Sequence, residues 1–131
     1  MRLFAVFNAL LILLIVVGGC QTAVVDQTAF TPVLLQGEEV YQLNCQRCHH
    51  PQGQGYRRLF PNLASNQIVT GHDPIPMIQV VKNGRGAMPS FDEALTDEEI
   101  AAVLTYIRNS WGNEAEPISP QQVRNLGESE G

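Results

Sequence analysis

Residues 43–50 read Leu43-Asn44-Cys45-Gln46-Arg47-Cys48-His49-His50. Two of the chain's three cysteines stand here with two residues between them, and a histidine follows the second directly. Such a pair serves a disulfide, a metal site, or covalent attachment of a prosthetic group through its thiols. The residues around it weigh the three.

A disulfide between Cys45 and Cys48 would close a tiny loop and so constrain the unfolded chain very little. A zinc site needs four ligands, commonly two Cys-x-x-Cys pairs or one such pair with two spaced histidines. The chain has no second cysteine pair, and neither His50 nor His72 has matching spacing. A thioredoxin-like redox pair follows a strand in a βαβ pattern. This pair closes a stretch whose residues Gly37, Val40, Tyr41, Asn44 and Cys48 recur at helical spacing. Cys45-x-x-Cys48-His49 matches the attachment pattern of c-type haem. There the two thiols add to vinyl groups on one porphyrin edge, and the next histidine sits under the iron as proximal ligand.

The haem reading requires a second axial ligand on a loop crossing to the other porphyrin face. Met88 lies in Asn83-Gly84-Arg85-Gly86-Ala87-Met88-Pro89-Ser90-Phe91, where two glycines and a proline favour irregular backbone. Met77 is the rival. Its neighbours Ile75, Ile78, Val80 and Val81 are set on a short helix expected from residue 74 or 75 to 82, which makes Met77 core or cofactor-edge packing. Asn83-Gly84 ends that helix, with glycine suited to a left-handed terminus.

Downstream, Thr96-Asp97-Glu98-Glu99 is a capping box opening a final helix. Ile100, Val103, Leu104, Ile107 and Trp111 form its apolar stripe, and Gly112 is expected to end it. Residues 50–74 are punctuated by proline and glycine and read as functional loop. No stretch alternates as a strand does, and no repeat is present.

The N-terminus follows a different logic. Leu3–Val17 is apolar except for Asn8, with Arg2 before it and Gly18-Gly19-Cys20 after. This describes an export signal over residues 1–19, shorter than the roughly 20 apolar residues of a membrane span. Val17-Gly18-Gly19-Cys20 resembles a bacterial lipobox, with valine where leucine is usual, which would make Cys20 a lipidation site. An uncleaved anchor helix is the alternative. Residues 20–34 are expected to be a flexible tether, reaching roughly 20 Å. Residues 114–131 are expected to be a flexible C-terminal tail.

Loss of residues 1–19 removes Arg2 and leaves 7 Lys+Arg against 13 Asp+Glu, a net charge of −6. Such an acidic chain is a poor nucleic-acid binder, because phosphate affinity comes from lysine and arginine. A domain this small gains from a large apolar cofactor that supplies missing core.

The chain resembles class I c-type cytochromes with one haem. The resemblance rests on CQRCHH at 45–50, GQG at 53–55, FPNLA at 60–64, GAMPSF at 86–91 and LTYIRNSWGN at 104–113, and covers residues 35–113. It is nearest to cytochrome subunits of membrane-associated bacterial dehydrogenases. It implies an all-α fold of three to five short helices around one covalently bound haem c, with Gly37 and Tyr41 meeting the Leu104-Tyr106-Ile107 side of the last helix. It implies Cys45 and Cys48 as thioether anchors, and His49 and Met88 as axial ligands. Pro61 would offer its carbonyl to the histidine ring. Arg58, with Arg57, would face the haem propionates.

The function implied is one-electron transfer between a dehydrogenase or respiratory donor and a downstream acceptor, not catalysis. Its setting would be the periplasmic side of a bacterial membrane, with redox proteins as partners. A haem-based sensor or small peroxidase with a displaceable methionine is the alternative.

Overall fold

The computed structural model describes residues 27–128. The signal expected over 1–19 and the lipidation site at Cys20 lie outside them. The described residues hold six helices and no strand: α1 (Gln27–Asn44), α2 (Gln46–His49), α3 (Gln67–Thr70), α4 (Ile75–Asn83), α5 (Asp97–Arg108) and α6 (Pro120–Glu128). Two isolated bridges, Tyr56 with Phe60 and Arg85 with Met88, pinch the loops. Among the described residues no helix is long and apolar enough to cross a membrane.

α5 is the centre of the fold. Its start is fixed by the expected box: Thr96 Oγ1 accepts from the Glu99 amide at 3.2 Å, and Glu99 Oε2 accepts from the Thr96 amide at 2.8 Å. Ile100 through Thr105, Ile107 and Arg108 are all buried. A helix buried all round needs cover on more than one side. α1 supplies one side, and Gly37 lets the two backbones approach closely, since a Cβ there would sit 2.7 Å from both the Ala102 carbonyl carbon and Tyr106 Cβ.

α1 begins ten residues before Gly37, where the helical spacing read from the sequence starts, inside the segment read as tether. The apolar face that carries Gly37, Val40 and Tyr41 continues backwards through half-buried Phe30, Val33 and Leu34 at the same period. Pro32 weighed towards coil in the sequence, yet it falls in the second turn, near the end where proline is best tolerated.

α6 covers another side of α5, so residues 118–128 are not the loose tail expected. Ile118 and Val123 are 4% and 0% exposed. Thr105 Oγ1 donates to Ile118 O at 3.2 Å and accepts from the Ile118 amide at 2.9 Å. The helix start is itself encoded. Ser119 and Gln122 form a second capping box, in which the Gln122 amide donates to Ser119 Oγ and the Ser119 amide donates to Gln122 Oε1. Ile118 and Val123 then occupy the two positions of a hydrophobic staple.

α5 ends at Arg108, before the expected stop at Gly112. Trp111 leaves the helical path with φ +55° and joins Tyr41 and Tyr106 in an aromatic trio, with centroids 5.1–5.7 Å apart. Arg108 is buried and tied off entirely by carbonyls: Nε donates to Glu116 O at 2.8 Å, and Nη1 donates to Val69 O and Gly71 O at 2.6 and 3.1 Å. Asn113 bridges Leu63 O, Ile107 O and the Ser65 amide. These two side chains anchor the long 50–74 loop to α5.

Two buried groups, Tyr41 and Lys82, and half-buried Tyr106 set the alkaline limit of this packing. Burial, more than any neighbour, raises the Tyr41 and Tyr106 phenols above their ordinary range. The hydrogen bond that Lys82 Nζ donates to the Asp92 carboxylate does most to raise the Lys82 ammonium. All three hold their protons more tightly when folded. Their stabilisation is intact below the unfolded values of about 10 and 10.4 and is lost as pH climbs through the folded ones. Urea midpoints are therefore expected to fall from about pH 10 upward, less steeply in Tyr41→Phe. A midpoint that rises across that range would contradict the assignment.

Candidate cofactor site

The site grows from the break between α1 and α2. The Cys45 amide still donates to Tyr41 O at 2.9 Å, closing α1, while Cys45 O accepts from the amides of Cys48 and His49 at 3.1 and 2.9 Å. One tight turn thus gathers both thiols and the imidazole. Both cysteines are free thiols, and burial pushes the Cys45 thiol up to about 12, with Cys48 adding to it. His50 takes φ +67°, which ends the turn, and its carbonyl accepts from the Tyr41 hydroxyl at 2.6 Å.

The next loop folds back onto His49. Gly55, at φ +61°, donates its amide to His49 O, and a Cβ there would meet Pro61 C and O at 2.6 Å. The bridge between Tyr56 and Phe60 then turns Pro61 toward the imidazole. His49 Nδ1 lies 3.0 Å from Pro61 O. A carbonyl can only accept, so Nδ1 carries a proton, and in the neutral ring Nε2 keeps its lone pair.

The facing wall comes from the end of α4. Gly84, at φ +74°, terminates the helix as expected. Arg85 and Met88 exchange backbone bonds of 3.0 and 3.1 Å, and the Phe91 amide donates to Val81 O at 3.0 Å. Between these walls lie two adjoining lobes that share Cys45, His49, Pro61, Arg85, Met88 and Phe91. The inner lobe is apolar and reaches Val81, Leu95, Val103 and Ile107. The outer lobe, about 490 Å³, opens past Cys48 and Arg58. That volume falls within the roughly 300–1,000 Å³ of cofactor pockets.

The structure brings together the residues singled out for this site, Arg57 excepted: Cys45, Cys48, His49, Arg58, Pro61 and Met88. Met77 is buried on α4 and borders the inner lobe alone, whereas Met88 borders both. Arg57 lies elsewhere, over the Tyr56 ring at 5.3 Å. His50 stacks on that ring, and His72 is exposed outside both lobes. Arg85 and the apolar liners Ile68, Phe91 and Leu95 were not read from sequence. Arg85 sits three residues before Met88, and that adjacency was the available signal. Among the described residues no three His, Cys, Asp or Glu side chains gather closely enough to hold a bare metal ion, so the zinc alternative finds no ligand set there.

Residues 32–107 match the family described as cytochrome C oxidase, cbb3-type, subunit III. The chain belongs to this c-type cytochrome family. It is similar to the cytochrome c subunit of a quinone alcohol dehydrogenase from Gluconobacter oxydans (strain 621H), 40% identical over 69% of this chain and 21% of that protein. The gluconate 2-dehydrogenase cytochrome c subunit of Pantoea cypripedii is 33% identical over 72% of this chain and 24% of its own length. Cytochrome c6 of Gracilaria tenuistipitata var. liui is 31% identical over 66% of this chain and 82% of its own length. The chain thus spans about a quarter or less of the dehydrogenase subunits and most of the small cytochrome.

The prosthetic group of a c-type cytochrome domain is covalently bound haem c. The residues present fit it. An apolar slot suits a porphyrin, two free thiols stand at its rim, and a buried imidazole has the tautomer that leaves Nε2 available.

Proposed function

We propose that this domain is a one-electron carrier. The observation that supports it most is the His49 ring, proton on Nδ1 and held by Pro61 O, set in a pocket whose facing wall carries Met88. In this reading Cys45 and Cys48 hold haem c through thioethers, and His49 and Met88 ligate its iron. When bound, haem c supplies an iron that cycles between ferric and ferrous states.

The chain's own residues do the rest. The Pro61 carbonyl fixes the imidazole tautomer and raises its basicity as a ligand. The thioether of Met88 is a weak donor and favours the reduced state. With His49 and Met88 both holding the iron, oxygen and peroxide would find no open site on it. The apolar inner lobe excludes water, and Arg58, on the outer lobe, offers a cation to the haem carboxylates.

The donor would be a dehydrogenase or respiratory protein and the acceptor another cytochrome or an oxidase. The partners would meet it on the periplasmic side of a bacterial membrane, with Cys20 lipid or the N-terminal apolar helix as tether. The acidic charge supports partners with basic docking faces and salt-sensitive encounter. Redox titration of the purified holoprotein is expected to give one reversible one-electron wave, with no carbon monoxide binding to the ferrous form at neutral pH. Rapid stoichiometric carbon monoxide binding would favour the sensor reading, and irreversible reduction would overturn both.

A further inference from the structure

Lys82 is the chain's sole lysine, and it is 8% exposed. Charged side chains are rarely buried unless paired. Nζ lies 2.8 Å from Asp92 Oδ1 and 3.5 Å from Asp97 Oδ1. Asp92 closes the loop that carries Met88, and Asp97 is the first residue of α5. The Lys82 carbonyl accepts from Ser90 Oγ, and the neighbouring Val81 carbonyl accepts from the Phe91 amide at 3.0 Å. The loop 84–91 therefore leaves α4 at Lys82 and returns to it.

We propose that Lys82 is a positioning residue for Met88: its ammonium latches the base of the methionine loop to α4 and to the start of α5, and so holds the sulfur at the cofactor. The inference rests on Met88 being the iron ligand. The backbone bonds at the loop's base involve exposed or half-exposed segments and cost little to open on their own. The ammonium adds what they lack, a nearly buried charge whose nearer partner, Asp92, is carried away when the loop opens, leaving only the longer contact to Asp97. Because Asp97 belongs to α5, the same ammonium also ties α4, from which the loop departs, to the helix whose Val103 and Ile107 line the inner lobe.

Two readouts separate latching from general stabilisation. The first is the far-red sulfur-to-iron charge-transfer band of the ferric holoprotein. The second is the association rate of cyanide, which can bind ferric iron only when the methionine has left. Lys82→Met is expected to weaken the band and speed cyanide binding by about tenfold or more, and Lys82→Arg to restore most of the wild-type rate. A lowered melting temperature with an unchanged cyanide rate would mean that Lys82 is structural only, and the latch is overturned. Asp92→Asn, at the half-exposed partner, carries the same comparison if Lys82→Met does not fold. Met88→Ala is the control. If it keeps the band, the ligand reading fails and the latch with it. If it loses the band while the Lys82 and Asp92 variants keep wild-type cyanide rates, the latch alone fails.

Discussion

Met88→Ala is expected to lower the reduction potential of the holoprotein by on the order of a hundred millivolts, part of the roughly 0.8 V range that axial ligands span, if Met88 holds the iron as proposed. The sign follows from donor strength. A thioether donates little charge and leaves ferrous iron relatively favoured, whereas water or hydroxide in its place favours ferric iron. The same change is expected to open the iron, so that cyanide and carbon monoxide bind within mixing time. Met77→Ala is the discriminating partner. Met77 is a buried α4 residue against Val69 and Ile78 in the core, so its truncation is expected to cost about 2–5 kcal/mol of stability while leaving the potential close to wild type. A potential that follows Met77 would assign the ligand there and undo the reading of the facing wall.

The two walls of the site were legible for a local reason. Cys45, Cys48 and His49 lie within one helical turn, and a turn's geometry is fixed by the backbone rather than by distant partners. Pro61 and Met88 stand on loops, but glycine and proline around them prescribe those loops' paths. Residues that depend on a remote neighbour were harder to read. In the sequence Lys82 is only the last residue of a short helix, and the arrival of Asp92 and Asp97 makes it a buried hub. Nothing local marks Arg108, which is buried because Val69, Gly71 and Glu116 turn their carbonyls onto it.

The C-terminal helix is the complementary case. Ser119-Pro120-Gln121-Gln122 spells a helix start as clearly as Thr96-Asp97-Glu98-Glu99 does. Beyond that start, α6 carries only Val123 and Leu126 as large apolar residues, too few to hold a nine-residue helix in isolation. It stands because α5 offers Thr105 and an apolar face to receive Ile118 and Val123. α1 differs in degree. Its early turns continued a period already visible, and Pro32 outweighed that period in the sequence although two turns of apolar residues bracket it.

Gly37→Ala is the second large effect, and its sign is set by a contest. On an exposed helix the change would gain up to about 1 kcal/mol, because alanine is the better helix former. At Gly37 the new Cβ would stand 2.7 Å from Ala102 C and Tyr106 Cβ, and nearer still to the Ala102 carbonyl oxygen. The first and last of these are backbone atoms of α5, which cannot rotate away, so α1 and α5 must separate. Separation loosens Tyr41, Tyr106 and Trp111, which bridge the two helices. Overpacking of a core costs about 1–3 kcal/mol and occasionally more. Here it acts on the main helix pair, so the net loss is expected at about 3 kcal/mol or above. For a domain near 100 residues that lowers the melting temperature by at least about 12 °C. Gln36→Ala, one residue away on the exposed face, is expected to melt within a few degrees of wild type. The far-red band measured at low temperature should survive in Gly37→Ala, because the clash loosens the helix crossing and not the Met88 loop. A Gly37→Ala holoprotein melting at or above wild type would mean that the two helices cross less closely than this structure has them.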